Sequence, residues 1–289
     1  QRAENGWLTV DGKDYYFISG SEASIESFCK KIKEKNCKII GHDLIKDVYA
    51  LMYYGMSDFD ISFDTAVAEY VIDPSRSSYD IKTQVLENFH IQIESEEEFA
   101  KRTAQVDLLG DNKAEEKQFG LSFCKYILEL YRIQKAKIDE QNIGRVLYDV
   151  ELPLIEVLAG MEKEGFKVDK SVLLSYGEDL SKEINSLTNS IYEAAGMEFN
   201  INSTVQLGEV LFTKLELPSG KKTKRGYSTS ADVLEKLKDK HPIVSDVLKY
   251  RTLTKLKSTY VDGLSTLIAS DGRIRPHFQQ TVAATGESI

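Results

Sequence analysis

Three blocks decide the reading of this chain: Phe199-Asn200-Ile201-Asn202-Ser203, then Lys221-Lys222-Thr223-Lys224-Arg225-Gly226-Tyr227-Ser228-Thr229-Ser230, then Tyr250-Arg251-Thr252-Leu253-Thr254-Lys255-Leu256-Lys257-Ser258-Thr259-Tyr260. Short polar side chains, clustered bases and helix starts recur through them. Ser203-Thr204-Val205-Gln206 spells a capping box ahead of an apolar helix. Thr229-Ser230-Ala231-Asp232 spells a second start. A helix N-terminus presents N–H groups and a partial positive charge, which favours phosphate. Between Gly220 and Gly226, Lys221, Lys222, Lys224 and Arg225 meet no acid. On a helix Arg251 and Lys255 are four residues apart and Ser258 continues their stripe, while Leu253, Leu256, Tyr260, Leu264 and Leu267 take the apolar side. The combination reads as a surface that grips a nucleic-acid backbone. Basic loops are also common as plain solvated surface, so the order of the blocks carries the reading rather than the charge.

In that order the blocks closely resemble the thumb of family A DNA polymerases, and the similarity extends over most of the chain. The resemblance implies an α/β ribonuclease-H-like domain of the 3′–5′ exonuclease type over residues 1–143. It implies an all-α thumb subdomain over residues 144–289. Backbone contacts carry over to Asn200, Asn202, Ser203, Lys221, Lys222, Thr223, Lys224, Ser228, Thr229, Ser230, Arg251, Lys255 and Ser258. Such contacts position without specifying sequence. The implied partner is duplex template-primer DNA, held by a monomer in the cytoplasm, within a nucleotidyltransferase that serves replication and repair. Arg273 to Gly286 resembles the passage from thumb to palm, where the family continues to an Arg and a Ser-rich turn. This chain has Glu287-Ser288-Ile289 there. The palm carboxylates that hold Mg²⁺ lie further on in the family. The expectation is therefore a fragment with no cofactor of its own and no polymerising centre.

At 289 residues the chain suits two domains. A hydrophobic content of 42% with 29% charged residues fits an ordinary globular protein. No apolar run approaches a membrane span, and no charged-then-apolar leader opens the chain. Cys29, Cys37 and Cys124 are sparse and lack metal spacing, so they read as reduced thiols. The net charge of −9 is unevenly placed. Residues 1–144 hold 18 basic and 26 acidic side chains, a net of −8; residues 200–289 hold 14 and 9, a net of +5. The first half repels a phosphate backbone and the last third attracts it.

Taken in order, Trp7 to Val10 and Lys13 to Ile18 read as strands joined by an Asp11-Gly12 turn. Ile25, Phe28, Cys29 and Ile32 have helical spacing. Lys38-Ile39-Ile40-Gly41 reads as a short buried strand, and Val48, Leu51 and Met52 as the next helix. Residues 61–65 read as the end of a loop before a helix that stops at Asp73-Pro74. Alternating strands and helices argue an α/β domain. Residues 94–118 read as an exposed loop or a solvated helix face, and Phe119, Phe123, Ile127, Leu130 and Ile133 define a helix. Leu147, Val150, Leu154, Val157, Leu158 and Met161 form one apolar stripe. Asp169 caps a long helix with Leu173, Tyr176, Leu180, Ile184, Leu187 and Ile191 inward, ended by Gly196. Two long helices with a short joint read as an antiparallel stalk.

Gly41-His42-Asp43-Leu44-Ile45-Lys46-Asp47 followed by Phe63-Asp64-Thr65 resembles the second motif of proofreading exonucleases. Their chemistry needs several carboxylates around two divalent ions about 4 Å apart. The resemblance puts an Asp-x-Glu on the first strand, absent here, and Tyr-x-x-x-Asp on a late helix, where Phe119 and Phe123 stand. Only Asp47 matches a catalytic position, with Asp43 where the family has Asn. The expectation is a relic domain, with no catalytic and no metal-binding residue. His42, His90, His241 and His277 lack ligand spacing, Gly220-Lys221-Lys222-Thr223 lacks a phosphate-loop register, and no Gly-x-Ser-x-Gly is present. Two rival readings stand beside this one. A stand-alone exonuclease of the ribonuclease D type needs the missing acids. A protein-interaction module predicts no salt-dependent affinity for DNA.

Overall fold

A β-hairpin opens the structure. In the computed structural model β1 (Asn5–Val10) runs antiparallel to β2 (Asp14–Ser19), with Trp7 opposite Phe17 and Val10 opposite Asp14. The structure describes residues 5–10, 14–19, 22–104, 113–218, 222–223 and 226–283, and for 5–10, 14–19, 22–24, 96, 104, 113–114, 116–117 and 222–223 the backbone alone. The expected Asp11-Gly12 turn lies outside these residues.

After α1 (Glu22–Glu34) comes a β-α-β unit: β3 (Ile39–Gly41), α2 (Ile45–Tyr53) and β4 (Ile61–Asp64). β3 and β4 pair in parallel, Gly41 opposite Asp64, and a parallel pair needs the crossover that α2 supplies. Residues 61–64 are thus a strand, where the sequence reads as loop. Their run is too short for periodicity, and only the partner strand makes them extended. Gly41 is fixed by its neighbour: a Cβ there would stand 2.2 Å from Leu44 Cδ2.

α3 (Thr65–Ile72), α4 (Ile81–Phe89), α5 (Glu96–Ala104) and α6 (Lys113–Gln141) follow. The charged segment around residue 97 is therefore helical. Its exposed side carries Lys101–Glu97 and Arg102–Glu94 pairs, while Phe99 is buried. α6 begins before Phe119 and sends Leu130, Gln134 and Ile138 into the core.

α7 (Gly144–Val146), a π-helical turn at Leu147–Glu151, and α8 (Leu152–Glu164) form one continuous helical run. The turn corrects the expected stripe. Leu147, Leu152, Ile155, Leu158 and Ala159 are buried, whereas Val150, Val157 and Met161 are 55%, 56% and 42% exposed. Pro153 has no N–H and its ring crowds the carbonyl four residues back. Widening the preceding turn relieves that clash. It also adds a residue, which moves the buried face one position along.

The chain divides into two compact units, Gln1–Gly165 with Arg275–Ile289, and Phe166–Ile274. The expected boundary between 143 and 144 falls inside the first unit, because α8 packs on α2 and shares its core with Leu44, Val48 and Phe63. The segment 275–283 belongs there too. It satisfies two buried acids of the helical run: Gln280 Nε2 donates to Glu151 Oε2 (2.7 Å), and the Phe278 N–H to Glu162 Oε1 (2.7 Å).

The second unit holds β5 (Phe166–Lys167), α9 (Lys170–Ala195), α10 (Thr204–Glu209), a π-helical turn at Val210–Lys214, β6 (Lys222–Thr223) and β7 (Gly226–Tyr227). Then come α11 (Ala231–Glu235), α12 (Pro242–Leu256), a π-helical turn at Lys257–Gly263, α13 (Leu264–Leu267) and β8 (Arg273–Ile274). It is not all-α as expected. β5 pairs with β8 and β6 with β7, both antiparallel, since extended ends that meet satisfy their backbone groups by pairing. Asp169 caps α9 as expected, accepting from the Ser171 N–H at 2.9 Å, and Gly196 ends it at φ 63°. The two helices expected to form a stalk fall in different units, where α8 packs on α2 and α9 on α12. Tyr176 is exposed, and Gly177 takes the inward place. There the chains come so close that a Cβ would stand 2.7 Å from Val261 Cγ1.

Candidate nucleic-acid interface

The first block forms a polar knot ahead of α10. Ser203 Oγ accepts from the Gln206 N–H at 3.4 Å, as a capping box requires. The return bond differs: Gln206 Oε1 accepts from the Asn200 N–H at 2.7 Å, three residues before the cap. Asn200 Oδ1 accepts from the Asn202 N–H at 3.0 Å, a local turn that asparagine side chains make readily. Asn200 and Asn202 are exposed and Ser203 half-buried, with Phe199 and Ile201 buried between them.

The second block is a short hairpin. Lys222 stands opposite Tyr227 and Thr223 opposite Gly226, while Lys221, Lys224 and Arg225 lie outside the described residues. Past the hairpin the chain lies on α10. A Cβ at Gly208 would stand 3.3 Å from Tyr227 Cβ and 3.7 Å from Thr229 Cγ2. Ser230 holds the cap position of α11 without a side-chain capping bond. Its hydroxyl accepts from Ser228 at 3.4 Å. Of the candidate contacts here, Ser230 is exposed, Ser228 half-buried and Thr229 only 4% exposed.

The third block draws the others together. Tyr250 is buried, and its hydroxyl accepts from Asn202 Nδ2 at 3.3 Å. The next residue, Arg251, donates through Nη1 to the Thr229 carbonyl and through Nη2 to Thr229 Oγ1 (3.3 Å). Consecutive residues of α12 thus tie down segments 48 and 22 positions away. Arg251 is half-buried, and burial pulls its pKa below the ordinary value. Among the described residues no carboxylate pairs with it or with Lys255, which is exposed. Ser258 is also exposed and donates to the Lys255 carbonyl at 3.3 Å. Lys257 is occupied by Asp262 at 2.8 Å. Sequence reasoning placed Gln206 in the capping box but gave no role to Tyr250 or Gly208. The aromatic amid the polar third block was the one available signal, since the role of Gly208 depends on Tyr227 and Thr229, 19 and 21 positions away.

In the first unit Asp47 is exposed on α2, and Asp43 is exposed in a left-handed conformation, φ 53°. Phe119 stacks on Phe99 with centroids 4.2 Å apart and lies 4.6 Å from Phe123. Phe123 packs against the cluster of Ile81, Val85 and Leu130. Two stacked hydrocarbon rings supply no oxygen ligands, so this donor set does not fit a two-ion centre. Among the described residues no group of three or more His, Cys, Asp or Glu side chains is placed to hold a metal. Asp64 has a different task. Fully buried, it accepts from the N–H groups of Ala66 (2.8 Å), Val67 (3.1 Å), Asp43 (3.1 Å) and Leu44 (2.8 Å). The three cysteines are free thiols, and burial pushes Cys124 up to about 11, which makes it unreactive.

Both units match family models: DNA polymerase I, ribonuclease H-like domain, over residues 3–123, and DNA polymerase family A over residues 170–288. The chain belongs to DNA polymerase family A. Its relatives are bacterial DNA polymerase I proteins. That of Geobacillus stearothermophilus is 38% identical over 238 residues, 82% of this chain and 27% of the relative. That of Bacillus subtilis is 35% identical over 289 residues, 97% of this chain and 32% of the relative. The chain thus spans a minor part of their length. Among solved structures, the POL domain of Pol1 from M. smegmatis, in complex with DNA primer-template and dNTP, is 27% identical with a TM-score of 0.79, and the match covers 99% of this chain and 48% of that one. No described helix is long and apolar enough to cross a membrane.

Proposed function

We propose that this chain is the part of a DNA polymerase I that carries a relic proofreading domain and the thumb, and that the thumb grips the backbone of duplex template-primer DNA. The observation that carries the reading is the convergence of the three blocks on Tyr250 and Arg251 of one helix. Asn200, Asn202, Ser230, Lys255 and Ser258 are exposed polar groups on those same blocks. Short neutral donors with few charges suit phosphate and sugar contacts, which hold register without reading bases. The first unit is a scaffold without exonuclease activity; the aromatic stack at Phe119 supports this. Mg²⁺ belongs to the polymerising centre of the family, and no step here runs through it. The chain acts as a monomer in the cytoplasm.

The test is a fluorescence titration of labelled primed duplex at several salt concentrations. Each phosphate neutralised contributes a slope of about −0.9 in log K against log salt. Binding is expected in roughly the micromolar or weaker range of non-specific association. Lys255→Ala should flatten the slope by about one unit. Affinity that does not respond to salt would favour the protein-interaction module instead.

A further inference from the structure

We propose that Arg251 is a positioning residue, which acts on a bound nucleic-acid backbone by holding the Ser228–Ser230 segment in place and not by contacting a phosphate itself. The proposal rests on the phosphate-grip reading above. Its ground is how the guanidinium is used. Two of its nitrogens are directed at a single residue, taking both the carbonyl and the hydroxyl of Thr229. Thr229 is 4% exposed, so its acceptors are largely shielded from water. Gly208 also lets the backbone of α10 approach Tyr227 and Thr229, where a larger residue crowds them. The segment is therefore held by contacts to two helices, α10 and α12. It needs such a clamp, because Ser230 makes no capping bond of its own to fix the turn into α11. Lys255 is the contrast: exposed and joined to no carboxylate among the described residues, it is placed to meet a phosphate directly.

The two roles separate chemically. A planar fork satisfies two acceptors at once, whereas a lysine ammonium at the same place keeps the charge and loses the paired geometry. The experiment uses the full chain with fluorescein-labelled primed duplex, amide hydrogen exchange over residues 226–231, and a thermal melt of each variant to exclude global unfolding. Arg251→Lys is expected to raise Kd roughly tenfold, the equivalent of about 1.4 kcal/mol. Its salt slope should stay at the wild-type value while exchange over 228–231 accelerates. Thr229→Val, which removes only the hydroxyl acceptor, should shift both readouts the same way by less. Lys255→Ala should do the reverse, flattening the slope with exchange unchanged. Wild-type affinity and exchange in Arg251→Lys would overturn the proposal, as would an Arg251→Ala chain that loses one unit of slope with its exchange unaltered. A wild-type chain with no salt-dependent affinity would overturn the grip reading and the nucleic-acid step together. Accelerated exchange in Arg251→Lys would mark that outcome as a failure of the function and not of the clamp.

Discussion

Asp64 shows how much one side chain can be asked to do. Its carboxylate closes the turn from β4 into α3 and at the same time anchors the Asp43-Leu44 backbone. Buried N–H groups left without an acceptor cost about 1–3 kcal/mol each. Asp64→Ala should therefore lower stability by at least about 2 kcal/mol, read as a lower urea midpoint with an unchanged slope. A variant as stable as wild type would show that these four donors find other partners. Asp47, in the first turn of α2, is exposed, and Asp47→Ala should lower the same midpoint far less.

At the scale of elements, the phase of the helical run 144–164 is the decisive feature. Ile155 is fully buried and Val157 is 56% exposed, the reverse of the expected stripe, which held Val157 and not Ile155. Ile155→Ala should cost about 2–5 kcal/mol, while Val157→Ala should lie within about 0.5 kcal/mol of wild type. Chemical denaturation of the two variants checks it, and equal losses would rule out the π-helical turn. A second tie joins α4 to α5, where Lys82 donates to both oxygens of Glu98 at 2.7 and 2.8 Å. The Lys82 bond, with the Ser95 N–H second, lowers the Glu98 pKa from 4.5 to about 2. A depressed carboxylate stabilises the fold above its unfolded value, and that contribution fades as pH falls from about 4.5 towards 2. Glu98 is at the surface, so the effect is small and screened by salt. Thermal melts between pH 5 and pH 2.5 should show a shallower loss for Glu98→Gln than for wild type. Parallel curves would mean the pair contributes nothing.

For the whole molecule, the two units make opposite predictions about nucleic acid. The first, with a net charge of −8 over residues 1–144 and an aromatic stack at Phe119, should leave DNA chemically untouched. Labelled single-stranded DNA incubated with the chain and Mg²⁺ or Mn²⁺ should keep its length. Shortening of the 3′ end that vanishes in Asp47→Ala would show that a metal centre assembles despite Phe119 and Phe123. The second unit, with 13 basic and 8 acidic side chains over residues 200–274, should account for all salt-dependent affinity, since the acidic half opposes association at a distance.

What the sequence by itself determined is local. The Asp169 and Ser203 caps, the Gly196 stop and the pairing of β1 with β2 rest on groups a few positions apart, and the chain shows them directly. The family was also legible, because the three blocks stand in the family's order and spacing. Tertiary structure decided the rest. Residues 61–64 became a strand because β3 was there to pair with, and the buried side of α8 was set by how a turn adjusts ahead of Pro153. Asp64 became an anchor because Asp43 and Leu44 came within reach of it. Arg251 reads as a surface cation from its spacing to Lys255, yet its bonds go to Thr229, which only folding brings near. Periodicity reports which side of a helix is apolar. It carries no information about which acceptor, 22 positions away, will stand opposite a guanidinium when the core closes.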